Sequence, residues 1–275
     1  MALTDFREQL RGNLGYPARL GSLLVDFVES GSLSREVNEV LQSLANHNVT
    51  ILSKLGTDML MLLEDDDFVL QLKKFQGSSG PARQGEASAF LCTPASDALV
   101  LLKGRGRKWV RRYQIDGDIQ LEVFTPGVGL RLLDEREYDG GVVEERIADK
   151  VVYDYGSDAE FMMLRLAYRP FADQCWHFDN TTLQSRFPSA GLMDQSALVN
   201  TAKVLGALGD PAAVPHLVEL AEHPSHFVRW AAIQAVGRLD RARAVELLRR
   251  SLEDAHPHVR SMAAKVLAKV GIPNG

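Results

Sequence analysis

The stretch FVRWAAIQAVGRL, residues 227–239, recurs 31 residues later as HVRSMAAKVLAKV, residues 258–270. A poorer copy, SALVNTAKVLGAL, occupies residues 196–208. In this register Val228 falls on Val259, Arg229 on Arg260, Gly237 on Gly206, and Leu239 on both Leu208 and Val270. A fixed period of this length predicts stacked helical hairpins, each burying its apolar face against its neighbours. Small residues at Ala232, Ala263 and Gly237 allow the helices to approach closely. Asp210-Pro211 supplies a helix start, a capping carboxylate followed by proline at the first helical position.

Outside the repeats the chain is ordinary in bulk. At 275 residues it exceeds a single core and predicts two domains. It is 45% hydrophobic and 24% charged, as soluble globular proteins are. No apolar run approaches the roughly 20 residues that span a bilayer. The start, MALTDFREQL, lacks the apolar core of a secretory signal. Cys92 and Cys175 do not make a disulfide framework, so a reducing cytoplasm is the expected compartment. From Ala197 onward there are 10 basic and 7 acidic residues, against 21 and 29 in the rest. Such a weak basic excess disfavours nucleic-acid binding.

Three zones precede or include the repeats. Up to about residue 48 the chain reads helical. Leu23, Leu24, Phe27 and Val28 lie at helical spacing before Gly31, and Ser34 is a candidate N-cap for a stripe of Val37, Val40, Leu41 and Leu44. Residues 49–187 read as short strands divided by Gly-containing turns: FVLQLKKF, ALVLL, WVRRY, DIQLEVF, KVVYDY and FMMLRLAYR. Strands in this number without intervening helices predict a sandwich or barrel.

The pattern DPAAVPHLVELAEHPSHFVRWAAIQAVGRL, residues 210–239, resembles HEAT repeats of the short subtype similar to phycobilisome lyases. The resemblance covers about residues 196–272 and implies a fold and a habit of protein binding. It also implies that the Val-Arg pair opening each second helix is architectural, with Arg229 and Arg260 bridging neighbouring turns. Upstream, helices leading into an all-β zone resemble the cupins in the arrangement of the thiol dioxygenases. In that family a strand similar to FVLQLKKF precedes a loop with two histidines that hold iron. The corresponding loop here, GSSGPARQGEAS at 77–88, has no histidine, and none occurs between His47 and His177. The resemblance therefore implies a cupin-like domain without its metal.

Five groups of residues could carry chemistry. Cys175 and His177 share a strand face, as a thiol–imidazole pair would, although a core cysteine explains the spacing as well. His223, His226, His256 and His258 sit in two loops one repeat apart, where stacking would let imidazoles converge on a metal. The alternative is a pair of His-Pro breaks with solvated rings. HEAT-repeat hydroxylases bind iron through paired His-Glu motifs, which are absent from this sequence. The run Glu64–Asp67 lacks the spacing of a calcium loop and reads as a solvated turn. Arg107, Trp109 and Arg111 form a basic patch in an acidic domain, suited to an anion or an acidic partner, or to a polar hairpin. Finally, Phe227, Arg229 and Trp230 are candidate protein contacts, since Trp230 stands where the next repeat has Ser261.

Together these features predict an α+β protein. Residues 1–190 form N-terminal helices with a cupin-like antiparallel β barrel or sandwich, and 191–275 form a HEAT-like α-α repeat domain. The expected function is non-catalytic protein interaction, as a cytoplasmic scaffold without cofactor or membrane attachment, with a homodimer as one arrangement. The rival is an enzyme or small-molecule sensor, bilin-lyase-like or a degenerate cupin, using a cavity in the β domain.

Overall fold

The computed structural model describes residues 2–45, 59–76, 90–148, 150–169 and 171–271. These divide into two compact units, residues 1–117, 127–171 and 177–185 in the first, and 118–126, 172–176 and 186–275 in the second. The loop at 77–88 lies outside the described residues. Among the described residues no helix is long and apolar enough to cross a membrane.

The first unit opens with three helices, α1 (Leu3–Gly12), α2 (Pro17–Glu29) and α3 (Ser32–Ala45). All three fall in the zone read as helical, although α1 was not singled out, and Ser34, the candidate N-cap, lies inside α3 rather than before it. Gly31, at φ +74°, makes the turn between α2 and α3.

The strands that follow are β1 (Met59–Glu64), β2 (Phe68–Phe75), β3 (Phe90–Cys92), β4 (Ala98–Gly104), β5 (Arg107–Ile115), β6 (Leu130–Asp139), β7 (Val142–Arg146), β8 (Val151–Ser157), β9 (Phe161–Tyr168), β10 (Gln174–Asp179) and β11 (Ser185–Ala190). They form sheets in the orders β1-β2-β9-β4-β7, β6-β5-β8 and β11-β10-β3. Among the described residues the pairs β1–β2, β2–β9, β9–β4, β4–β7, β5–β6, β5–β8 and β10–β3 are antiparallel.

Strand alternation explains the layering. Leu99 and Leu101 of β4, with Leu164 and Leu166 of β9, face Phe6, Leu10, Leu24 and Phe27 of the helices. The intervening Ala98, Val100, Leu102, Met163 and Ala167 face Val110 and Tyr153 of the other sheet. The five-stranded sheet is thus buried on both faces, between helices and a second sheet. The expected strand DIQLEVF does not form: residues 118–124 are turns and irregular chain. Its carbonyl oxygens accept from side chains instead of from a neighbouring strand. Trp176 Nε1 and Gln174 Nε2 both donate to Leu121 O, the former at 2.8 Å.

The repeats of the second unit are α4 (Met193–Leu208), a 3-10 turn (Pro211–Ala213) with α5 (Val214–Leu220), α6 (His226–Leu239), α7 (Arg241–Arg250), a 3-10 turn (Ser251–Glu253) and α8 (Pro257–Lys269). Asp210 Oδ1 accepts from Ala212 N at 2.9 Å, the cap that the Asp-Pro step predicted. Leu217, Ala232, Val236, Ala263 and Leu267 are fully buried in one core.

Candidate functional site

The histidines of the two inter-helix loops do converge. His226 opens α6, while His256 is the N-cap of α8 and His258 its second residue. One ligating nitrogen from each of the three lies within 4.8 Å of the others. The rings of His226 and His256 are stacked at 3.6 Å and 2°. The solvated-ring alternative therefore does not describe them. His223 stays apart, its Nδ1 accepting from Ser225 N at 3.0 Å.

Tautomers follow from the partners. His256 Nε2 lies 3.0 Å from Glu122 O and His258 Nε2 lies 3.2 Å from Phe124 O. A carbonyl can only accept, so both Nε2 atoms carry hydrogen and both Nδ1 atoms carry lone pairs. His256 Nδ1 receives a longer bond from His258 N, at 3.3 Å. His226 Nε2 is buried without a hydrogen-bond partner. Burial, then the neighbouring His256, pushes the His226 imidazole down to about 3, and burial likewise lowers His256.

Arg229 lies beside this cluster and is consumed by the fold. It donates to both Asp254 carboxylate oxygens and, through Nη1, to His223 O and Pro224 O at 2.9 and 2.7 Å. Arg260 repeats the backbone half of this pattern with Asp254 O and Ala255 O, at 2.6 and 2.9 Å. Burial alone would raise the Asp254 carboxyl, but the Arg229 bonds and the His256 N–H hold it below its ordinary value. Phe227 and Trp230 are half-buried, and Trp230 packs against the repeat core.

A different face of the repeats is open. On α4, Val204 and Leu208 are 57% and 71% exposed. Their counterparts 31 residues on are Ala235, which is buried, and Leu239, which packs on the core. Ala235 sits against α4 itself, since a Cβ on Gly206 would come within 2.9 Å of its Cα. The face that α6 uses to meet the preceding repeat is thus uncovered on α4. Sequence reading missed this face, although the 31-residue register locates it.

The first unit holds a polar row inside its sandwich. Gln71, Arg165, Val100 and Glu144 are successive cross-strand partners on β2, β9, β4 and β7. Tyr138 donates to Glu144, and Arg146 lies over the rings of Tyr153 and Tyr155, at 5.0 and 5.5 Å. Tyr155 OH, Arg146 Nε and Glu144 Oε2 are buried without hydrogen-bond partners. Burial pushes the Tyr155 hydroxyl well up. A separate open cleft of about 520 Å³, lined by Pro17, Gly21, Val25, Leu99 and Val143, contains none of these groups.

The remaining expected sites resolve into local structure. Arg107 and Arg111 face Glu137 and Glu135 across β6, so carboxylates of the same sheet already meet the basic patch. Trp109 lies over Gly156 of β8, where a Cβ would collide with the indole. Asp65, in the acidic run, binds Arg11 at 2.7 Å. Cys175 is buried, and His177 lies opposite Cys92 across the strand pair, with Sγ and Nε2 3.9 Å apart. Burial lowers the His177 imidazole.

Comparisons with known proteins follow this division. Residues 222–274 match the model for HEAT repeats and residues 198–223 match that for the PBS lyase HEAT-like repeat. A deoxyhypusine hydroxylase from Eremothecium gossypii is 37% identical over 83 residues, 29% of this chain and 26% of the relative. The chain thus spans about a quarter of that relative's length. Among solved structures, a hydroquinone 1,2-dioxygenase from Sphingomonas sp. TTNP3 is similar at a TM-score of 0.29 and 14% identity, covering 42% of this chain and 67% of that one. A cupin superfamily protein from Desulfitobacterium hafniense DCB-2 gives 0.25 and 13%, covering 41% and 76%. The helical C-terminal region of this chain, residues 198–274, is HEAT-like.

Proposed function

We propose that the chain is a non-catalytic protein-interaction scaffold, and that its repeats take up an amphipathic helix of a partner protein along α4. The exposed pair Val204 and Leu208 carries this reading. Terminal repeats in such stacks normally present a polar outer face, whereas this one presents apolar side chains. The occupant is a helix, because the equivalent face of α6 is covered by a helix, α4, at small-residue contact distance. Phe227 and Trp230, half-buried on α6, are at most a flank of this surface. A photo-crosslinking residue at Leu208 should trap a specific protein, and the reconstituted complex should lose at least about tenfold in affinity with Leu208→Glu, a change of roughly 1.4 kcal/mol. No crosslink, a crosslink only to a second copy of this chain, or unchanged affinity would overturn the proposal.

A second reading, a small-molecule sensor, has its own support in the β sandwich. Three polar atoms buried without partners, on Tyr155, Arg146 and Glu144, are the kind of convergent donors and acceptors that a ligand satisfies. A panel of small carboxylates and phosphates, screened by thermal shift against the wild type and Arg146→Gln, separates this reading from a purely structural network. Stabilisation by one ligand class that vanishes in the variant supports a sensor.

A further inference from the structure

We propose that His226, His256 and His258 bind one divalent cation of the zinc class, with a fourth position open to water. The claim is independent of the docking proposal. It rests on three observations within the second unit.

First, the ligating nitrogens already lie within 4.8 Å of one another, contributed by two loops one repeat apart. Second, the surroundings are built as they are around metal-bound imidazoles. A ligating histidine ordinarily donates its other ring N–H to a carbonyl or carboxylate, which fixes the ring and its tautomer. His256 and His258 do this with Glu122 O and Phe124 O. The His258 Nδ1 lone pair is left for an ion, and that of His256 is engaged only by the 3.3 Å bond from His258 N, which coordination would replace. Third, His226 is 8% exposed and its Nε2 has no partner, a cost that coordination would remove.

Imidazole donors favour zinc, copper, nickel or iron over calcium or magnesium. Zinc bonds of about 2.0–2.1 Å in a tetrahedron hold nitrogens roughly 3.4 Å apart, so the rings must draw together. One ion cannot lie in the planes of two parallel stacked rings, so one of them turns. His256 is anchored through Nε2, which leaves His226 as the ring that rotates. Asp254 is not the fourth ligand, because Arg229 and His256 N occupy its carboxylate.

The test uses the full chain without a histidine tag, stripped by chelator and titrated with zinc chloride in a calorimeter, with elemental analysis after dialysis. One zinc per chain is expected. His226→Phe and His258→Gln should each weaken binding at least about 100-fold, the upper range for loss of a mere supporting contact, while His223→Gln leaves it unchanged. Cobalt bound in place of zinc should give the intense visible absorption of a tetrahedral site. Where His226→Phe fails to fold by circular dichroism, His258→Gln decides. Absence of uptake by the wild type, or equal uptake by the variants, overturns the proposal.

Discussion

Arg229 and Asp254 form a two-pronged ion pair across 25 residues, with Nε to Oδ2 at 2.8 Å and Nη2 to Oδ1 at 2.6 Å. Their side chains are only 14% and 10% exposed. The pair ties the first turn of α6 to the loop before α8, and the same guanidinium also satisfies two carbonyls of the loop before α6. A residue at the opening of a repeat helix is thereby a rivet between repeats, as the Val-Arg resemblance implied.

Removing the rivet should be expensive. Arg229→Ala leaves the Asp254 carboxylate in a poorly hydrated site, and a loss of about 3 kcal/mol is expected. Arg229→Lys should recover little of it, because an ammonium cannot make the parallel bonds of a guanidinium. Denaturant unfolding followed by helical circular dichroism measures both, and losses below about 1 kcal/mol would contradict this account.

Acid should destabilise the repeats through His226. Above pH 6.5 the imidazole is neutral in both folded and unfolded chains and the shift contributes nothing. Below that the unfolded chain takes up a proton which the folded site, pushed down to about 3, refuses. Stability therefore falls as pH drops from 6.5 towards 3, by at most about 1.4 kcal/mol per pH unit. Arg229, His256 and His258 oppose the charge, and Asp254 favours it. His226→Phe should flatten the dependence of melting temperature on pH between 7 and 5, and an unchanged slope would refute the assignment.

Gly206→Val tests the close approach of α4 and α6. A side chain there meets the backbone of Ala235, so the helices must separate. A loss of about 1–3 kcal/mol is expected by thermal or denaturant unfolding. Gly209, in the left-handed region at φ +76° with open space around it, should instead tolerate Asn with little change.

Tyr155→Phe should stabilise the β sandwich. Its hydroxyl is buried without a partner, and deleting it removes an unmet hydrogen bond at almost constant volume. A gain of about 1 kcal/mol is expected in the absence of ligand. A loss instead would mean that the hydroxyl is satisfied within the fold.

Val204→Lys and Leu208→Lys, by contrast, should leave stability within about 0.5 kcal/mol, because both side chains are mostly exposed. A larger loss would show that α4 is covered within the chain and is unavailable for docking.

The repeats were legible because their signal is local and periodic: Val228 and Val259, or Ala232 and Ala263, report burial through spacing alone. The β layers were legible for the same reason, since Leu99 and Val100 alternate between two cores. What escaped the sequence depends on pairing between distant residues. Register, not spacing, sets His177 against Cys92. Residues 118–124 alternate apolar and polar like a strand, yet side chains of Gln174, Trp176, His256 and His258 take their carbonyls. The histidine cluster was half legible: one repeat of separation brought the loops together, but the carbonyls that orient the rings lie 134 residues upstream.

That separation has a kinetic consequence. Helical repeats gain their contacts from neighbours in sequence and can zip up quickly. The bonds from His256 and His258 to Glu122 and Phe124 instead close a loop that contains most of the β strands. The histidine rings can be locked only after that long segment has returned to the repeats. Refolding should therefore end with a slow step that fixes the two imidazoles, after the helices have formed.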